Sequence, residues 1–255
     1  MDSDSRSDTH AQTAARLRAL RKLLFLCVGV VYANLHSVEA APKSENDHLV
    51  PIPKYSGAPS IYRKLCYDKL FVTPSETARF MQLPGSLEVE TAVSLYRDSR
   101  KIDGLPGGYW LTLTQPSTPL FGSVPYVDVK KPVDLKTIQI RRCDAPLRES
   151  AALAVHDLWM KMLKQAQSVS HPERYMSVDS TIEIFSAKNS NGNVLEAQSP
   201  QVPLRPDADV NMLVRIGFML AAYCEVKPND RPEAAGKIEK EVSDLIKRIS
   251  AERDR

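Results

Sequence analysis

Hydrophobic and polar residues alternate in several short stretches after residue 85, and each of these stretches predicts a β-strand. The clearest is residues 87–95, where Leu87, Val89, Val93 and Leu95 alternate with more polar neighbours. A period of two places successive side chains on opposite faces of a strand. Alternation and a high content of β-branched and aromatic residues predict four further strands, at residues 109–114, 135–142, 180–187 and 194–197.

Other stretches have the end signals or the spacing of helices. The sequence Thr-Pro-Ser-Glu at residues 73–76 is a capping pattern, and it predicts a helix that ends before Pro84. Asp144 is predicted to cap a second helix, because apolar residues recur at three- and four-residue intervals between positions 151 and 166.

Two more helices are predicted towards the C-terminus. Residues 209–226 are apolar almost all round and predict a buried central helix. A capping pattern at residues 230–233 begins the last helix. Its apolar residues favour packing on the same domain over a partner helix, and they are Ile238, Val242, Leu245 and Ile249.

The predicted order is one helix, three strands, one helix, two strands and two helices. Consecutive strands joined by turns, such as the turn at residues 189–192, favour antiparallel pairing. We therefore expect an α+β fold, with an antiparallel sheet of about five strands and helices packed on one face. Residues 61–255 are predicted to form this single domain. Residues 41–60 contain four prolines and many polar residues, which predict an extended, unpacked arm.

The N-terminal segment, residues 1–40, has the pattern of a secretion signal. Four basic residues between positions 16 and 22 precede an apolar run of 11 residues, 23–33. A membrane-spanning helix needs about 20 apolar residues, so the shorter run is typical of a signal peptide. Small or compact residues predict cleavage between Ala40 and Ala41, and Ala33 ends a second candidate cleavage site.

Two alternatives to a cleaved signal stay open: an uncleaved membrane anchor and a core helix of a cytosolic protein. The basic residues before the apolar run favour export. The predicted location is therefore periplasmic or secreted, with membrane contact only if the signal is uncleaved. Removal of residues 1–40 takes away five basic and four acidic residues, which lowers the net charge from +3 to +2. Such a balanced surface disfavours nucleic-acid binding, which needs a basic patch.

Export bears on the cysteines, because disulfides form in oxidising compartments. The chain has four cysteines, and Cys27 would leave with the signal. Cys224 lies in an apolar helical run and is predicted to be a buried thiol. Cys66 and Cys143 are therefore the predicted disulfide pair.

No set of residues forms a catalytic or metal-binding signature. The histidines after residue 40 are His48, His156 and His171, and none stands at a metal-ligand spacing. No cofactor, metal or catalytic residue is predicted. The alternative is a cryptic hydrolase in which His156 or His171 activates Cys66 or Cys143.

Residues 156–163 read HDLWMKML, and STIEIF follows at residues 180–185 before an apolar helix. This order resembles a pattern in uncharacterised exported proteins of proteobacteria, over residues 135–226. The resemblance implies export and a strand–helix–strand–helix order, but no activity and no site residue.

The first functional hypothesis is an exported, non-catalytic binding or accessory protein of unknown ligand, which acts through a protein partner. The absence of catalytic signatures together with the predicted signal supports it. The Cys/His hydrolase and a membrane-tethered protein are the alternatives.

Overall fold

The computed structural model describes most of the chain after residue 46. The described residues are 47–53, 58–71, 76–85, 88–98, 108–121, 138–168, 181–201 and 204–253. The predicted signal and its cleavage point between Ala40 and Ala41 lie outside these ranges. Every helix within them is too short or too polar to span a bilayer.

The described residues form six strands and four α-helices. The strands are β1 Glu76–Leu83, β2 Thr91–Asp98, β3 Gly108–Pro116, β4 Ile140–Leu147, β5 Ile182–Lys188 and β6 Val194–Gln198. The helices are α1 Ala58–Leu70, α2 Glu149–Lys164, α3 Asp209–Tyr223 and α4 Arg231–Arg253. All strand pairs are antiparallel, in the order β4–β3–β2–β1–β5–β6. The predicted α+β class and antiparallel sheet are confirmed.

Three helices cover one face of the sheet. Phe80 from β1 and Phe185 from β5 are fully buried there, with Trp159 of α2 packed edge-on against Phe185 at 5.7 Å between ring centroids. The predicted apolar stripes of α2 and α4 belong to the same cluster. Burial of these stripes is what stabilises the helices on the sheet.

The opposite face of the sheet has its own smaller core under α1. Tyr62, Leu65 and Cys66 of this helix pack on Met81 of β1 and Ile184 of β5. Helices therefore lie on both faces of the sheet, with α1 alone on this one. The central strands are buried on both sides as a result.

The first helix predicted from the sequence is wrong, because residues 76–83 form strand β1. This strand lies in the middle of the sheet, so Ala78 and Phe80 contact one core while Met81 and Leu83 contact the other. Burial on both faces removes the alternation that marks a half-exposed strand. The capping pattern before it is local, and tertiary packing overrides it.

Two other predicted strands begin later in the chain than expected. Strand β2 starts at Thr91, and β4 runs from Ile140 to Leu147. Asp144 is therefore inside β4, where its Oδ1 accepts a hydrogen bond from the Thr112 hydroxyl of β3. It caps no helix. Helix α2 begins at Glu149, without a side-chain cap at the preceding residue.

The predicted unpacked arm is wrong for its described residues. Leu49 is fully buried in the main core. Val50 bridges the end of β6, with hydrogen bonds of 2.8 and 2.9 Å between its backbone and that of Gln198. Helix α1 begins at Ala58, inside the predicted arm. This polar, proline-containing segment therefore contains a large apolar side chain, that of Leu49, which is part of the core.

The C-terminal helices follow the prediction in part. In α4, the four predicted apolar residues are buried in the same core, so this helix packs on its own domain. Helix α3 is less buried than its composition suggests. Phe218 is 38% exposed, and Arg215 points outward to an ion pair with Glu241 of α4.

Candidate functional site

A groove of about 510 Å³ opens where the end of β4 meets the C-terminal end of α3 and the start of α4. Known small-molecule sites have volumes of roughly 300–1,000 Å³. Its lining residues are Trp110, Asp144, Pro146, Arg148, Tyr223, Pro228, Arg231, Pro232 and Ala235. These nine residues define the groove.

The apolar wall of the groove depends on strand register and on one hydrogen bond. Trp110 of β3 lies opposite Pro146 of β4, so their side chains share a face. The Tyr223 hydroxyl donates to the Pro146 carbonyl oxygen at 2.9 Å. This bond fixes the end of α3 against β4, and it holds the two large rings of the groove near one another.

Two arginines contribute positive charge, and they differ in how far that charge is compensated. The exposed Arg148 pairs with Glu239 of α4, with 3.0 Å between Nε and Oε1. Arg231 is partly buried and donates from Nε to the Val226 carbonyl oxygen at 3.1 Å. Among the described residues it has no carboxylate partner.

Asp144 is the acidic residue of the groove, and its charge is already compensated. Arg142 donates to it from Nε, at 2.9 Å to one carboxylate oxygen and 3.1 Å to the other. Arg231 therefore contributes the uncompensated charge of the lining. Burial raises the pKa of Tyr223, and the nearby guanidinium groups of Arg231 and Arg148 oppose that rise. The positive charges of Arg231 and Arg148 therefore both lie near the hydroxyl group of Tyr223.

This arrangement is suited to binding rather than to covalent chemistry. Aromatic rings and prolines offer apolar contact, and a guanidinium group offers hydrogen bonds to a carboxylate or phosphate. The start of α4, a helix of 23 residues, adds the positive end of its dipole on the same side. No group of three or more metal-ligating side chains occurs in the described part of the chain.

The predicted disulfide between Cys66 and Cys143 is not formed, and the described cysteines are free thiols. Cys66 is a residue of α1, and its side chain is buried between this helix and one face of the sheet. Cys143 lies in β4 beside Leu113 and contacts the core on the other face. The sheet itself separates the two residues, so a bond between them would need the strands to come apart.

The Cys/His pairs considered from the sequence are not brought together in the described residues. Nε2 of His156 lies 2.9 Å from the Lys188 carbonyl oxygen, and its Nδ1 faces Asp157 at 3.6 Å. Burial raises the pKa of the Cys66 thiol, which keeps it protonated and unreactive. His171 lies outside the described residues.

Comparison with known proteins adds no further constraint on the site. No protein family, curated protein or solved structure matches the chain. Sequence reasoning missed the groove as well. The sequence features that could have indicated the groove are Trp110 and the prolines around Arg231. From the sequence, position 231 is interpreted only as part of a helix cap.

Proposed function

We propose that the protein is an exported, non-catalytic binding protein, and that its groove holds an anionic ligand with a flat apolar portion. The observation that carries the proposal is the partly buried Arg231, which lines an aromatic groove without a carboxylate partner among the described residues. A partly buried cation without a counter-charge is stabilised by an anion that forms charge-assisted hydrogen bonds with it.

The two aromatic residues favour a ring or a short hydrocarbon beside the anion. Trp110 is 8% exposed and Tyr223 is 3% exposed, so each offers only a small part of its surface to the groove. A ligand of a few carbon atoms with one carboxylate would contact both rings and reach the guanidinium group. Binding of this kind is expected to be weak to moderate, because the groove is open on one side.

Tryptophan fluorescence tests the proposal, because the chain has two tryptophans in different surroundings. Trp110 lines the groove, whereas Trp159 is 1% exposed in the core. Benzoate and benzamide are matched probes, since they share a ring and differ in charge. We expect benzoate to quench the fluorescence saturably in the millimolar range, and Trp110→Phe to abolish the response.

The charge requirement is tested with two matched arginine variants. Arg231→Gln should weaken benzoate binding about 10- to 100-fold, because a charge-assisted hydrogen bond contributes about 1.5–3 kcal/mol. Benzamide binding should be unchanged. Arg215→Gln is the control, since it removes an equal charge from the outer face of α3. Equal binding of both probes, or equal effects of both variants, would overturn the proposal.

Export is the second part of the proposal and is tested separately. It is supported by the basic and apolar N-terminal pattern of residues 1–40. Intact mass and cell fractionation should show a chain that begins at Ala41 outside the cytoplasm. A full-length chain in the cytosol would refute export and leave the groove hypothesis standing.

A further inference from the structure

Two cysteines that the sequence did not pair lie against each other at the edge of the sheet. Cys143 is in the edge strand β4, and Cys224 follows the last residue of α3. The Cys143 thiol lies 2.8 Å from the Cys224 carbonyl oxygen, and the Cys224 thiol lies 3.4 Å from the Cys143 carbonyl oxygen.

The surroundings of the two thiols give them different roles in any exchange reaction. Cys143 is partly exposed, whereas Cys224 is 2% exposed. Burial raises the pKa of Cys224 to about 12, and the adjacent Cys143 adds to the rise. Attack on an external reagent therefore begins at Cys143, which solvent reaches, and the buried thiol reacts second.

Cys66 does not compete for this reaction. Cys66 is a residue of α1, and its side chain is fully buried against the opposite face of the sheet. Tyr62, one turn earlier in α1, donates to Glu90 at 2.6 Å and belongs to the same buried cluster. No oxidant has access to Cys66 in the folded chain.

We propose that Cys143 and Cys224 are a modification site, at which a disulfide ties the edge strand β4 to the C-terminal end of α3. The oxidant is a small or protein disulfide, such as glutathione disulfide. The Cys143 thiolate attacks one of its sulfurs, which forms a mixed disulfide and releases one thiol. Cys224 then loses its proton to water and attacks the Cys143 sulfur, which releases the second thiol. Two electrons pass from the pair to the oxidant.

The site lies next to the groove but does not depend on its ligand. Asp144 and Tyr223, which line the groove, are the chain neighbours of the two cysteines. A bond here would hold these two lining residues at a fixed separation. The proposal stands or fails whether or not benzoate binds, since its readout is the state of the thiols.

The experiment treats the folded full-length chain with glutathione disulfide and then counts free thiols after unfolding. Two of the four thiols should be lost, with a mass lower by two hydrogen atoms. Peptide mapping of the unreduced chain should join the peptides that contain Cys143 and Cys224. A bond to Cys27 or Cys66 in the map, or no loss of thiols, would overturn the proposal.

Single serine variants separate the two steps. Cys224→Ser should stop at the mixed disulfide, so its mass should rise by one glutathione attached at Cys143. In the Cys143→Ser chain, Cys224 should neither react with glutathione nor form a disulfide. Cys66→Ser is the matched control and should still form the bond. If Cys224→Ser loses two thiols as the unaltered chain does, the assignment is refuted. Mapping of the unaltered chain decides the question should a variant fold poorly.

Discussion

Gly217, in the middle of α3, provides a sharp test of how this helix packs on the sheet. A Cβ atom at this position would lie 2.7 Å from one ring carbon of Phe80 and 2.8 Å from two others. The ring has no room to retreat. Phe80 is fully buried between Phe185 and Phe218, whose ring centroids lie 5.2 and 5.4 Å away. Helix α3 therefore approaches β1 closely because position 217 has no side chain.

The magnitude follows from two opposing effects of Gly217→Ala. Alanine favours a helix over glycine by about 1 kcal/mol. Overpacking of a core costs about 1–3 kcal/mol. The contact includes Cγ, the ring atom nearest the backbone, so a rotation of the ring cannot relieve it. We therefore take the upper part of the overpacking range, about 2–3 kcal/mol. The expected net loss is about 1–2 kcal/mol of unfolding free energy, or a melting temperature lower by roughly 2–8 °C.

Gly236→Ala in α4 is the matched control. Its Cβ would meet only Arg148, at 4.0 Å from Nη2, which is an ordinary contact. Here the helix preference acts alone, so we expect a gain of about 0.5–1 kcal/mol. Urea unfolding followed by circular dichroism measures both variants. In a double variant, Phe80→Leu should relieve part of the Gly217→Ala cost, because the two sites share one contact. A Gly217→Ala chain as stable as Gly236→Ala would refute the packing argument.

Three further predictions concern burial and charge. Glu90→Gln should lower the unfolding free energy by about 1–3 kcal/mol. The buried carboxylate accepts hydrogen bonds from Tyr62 and two backbone N–H groups, and the NH2 group of glutamine would face one of these donors instead of accepting from it. Unchanged urea unfolding would contradict this. Leu49→Ala should lower the unfolding free energy by about 2–5 kcal/mol, because the Leu49 side chain is fully buried in the main core; unchanged urea unfolding would show that this segment is free of the core. In the reduced chain, burial and the adjacent Cys143 raise the pKa of Cys224 from its ordinary value of 9.0 to about 12, so stability should fall as the pH rises through this interval. Cys224→Ala should flatten that fall, and an equal slope in both chains would count against it.

Two parts of the fold that the sequence predicted well have one side that faces solvent or a well-marked turn. Helix α2 keeps exposed residues such as Leu153 opposite its buried stripe, so the helical period survives in the sequence. The hairpin of β5 and β6 is marked by its turn, where Gly192 takes a φ of +79° that other residues rarely adopt. Both features therefore leave a clear pattern in a short stretch of sequence.

The sequence failed at strand β1, which is covered on both sides, and at the buried residue Leu49. Strand β1 has a core on each face, so its apolar residues follow no simple period. Leu49 and Val50 are buried in a segment that is rich in polar residues and prolines, and no periodicity points to them. Only the tertiary arrangement shows why these residues are buried, since the neighbours that cover them come from distant parts of the chain.

The groove was beyond sequence reasoning for a related reason. Its residues span positions 110 to 235, and each has an ordinary structural explanation on its own. Pro146 is typical of an edge strand, and Pro232 is typical of the first turn of a helix. The chemistry arises only when register and helix placement bring Trp110, Tyr223 and Arg231 to the same opening.

Protection of one sheet edge links the groove and the cysteine pair. Strand β4 is an edge, and an exposed edge invites pairing with other chains. Two features cover it: Pro146 removes a backbone donor, and the end of α3 is held there by the Tyr223 hydrogen bond and by the ion pair between Arg141 and Glu225. The same closure places the thiol of Cys143 against α3 and leaves the groove beside it. Both proposed sites are therefore consequences of how this fold closes its edge, and a change that loosens the end of α3 should weaken ligand binding and disulfide formation together.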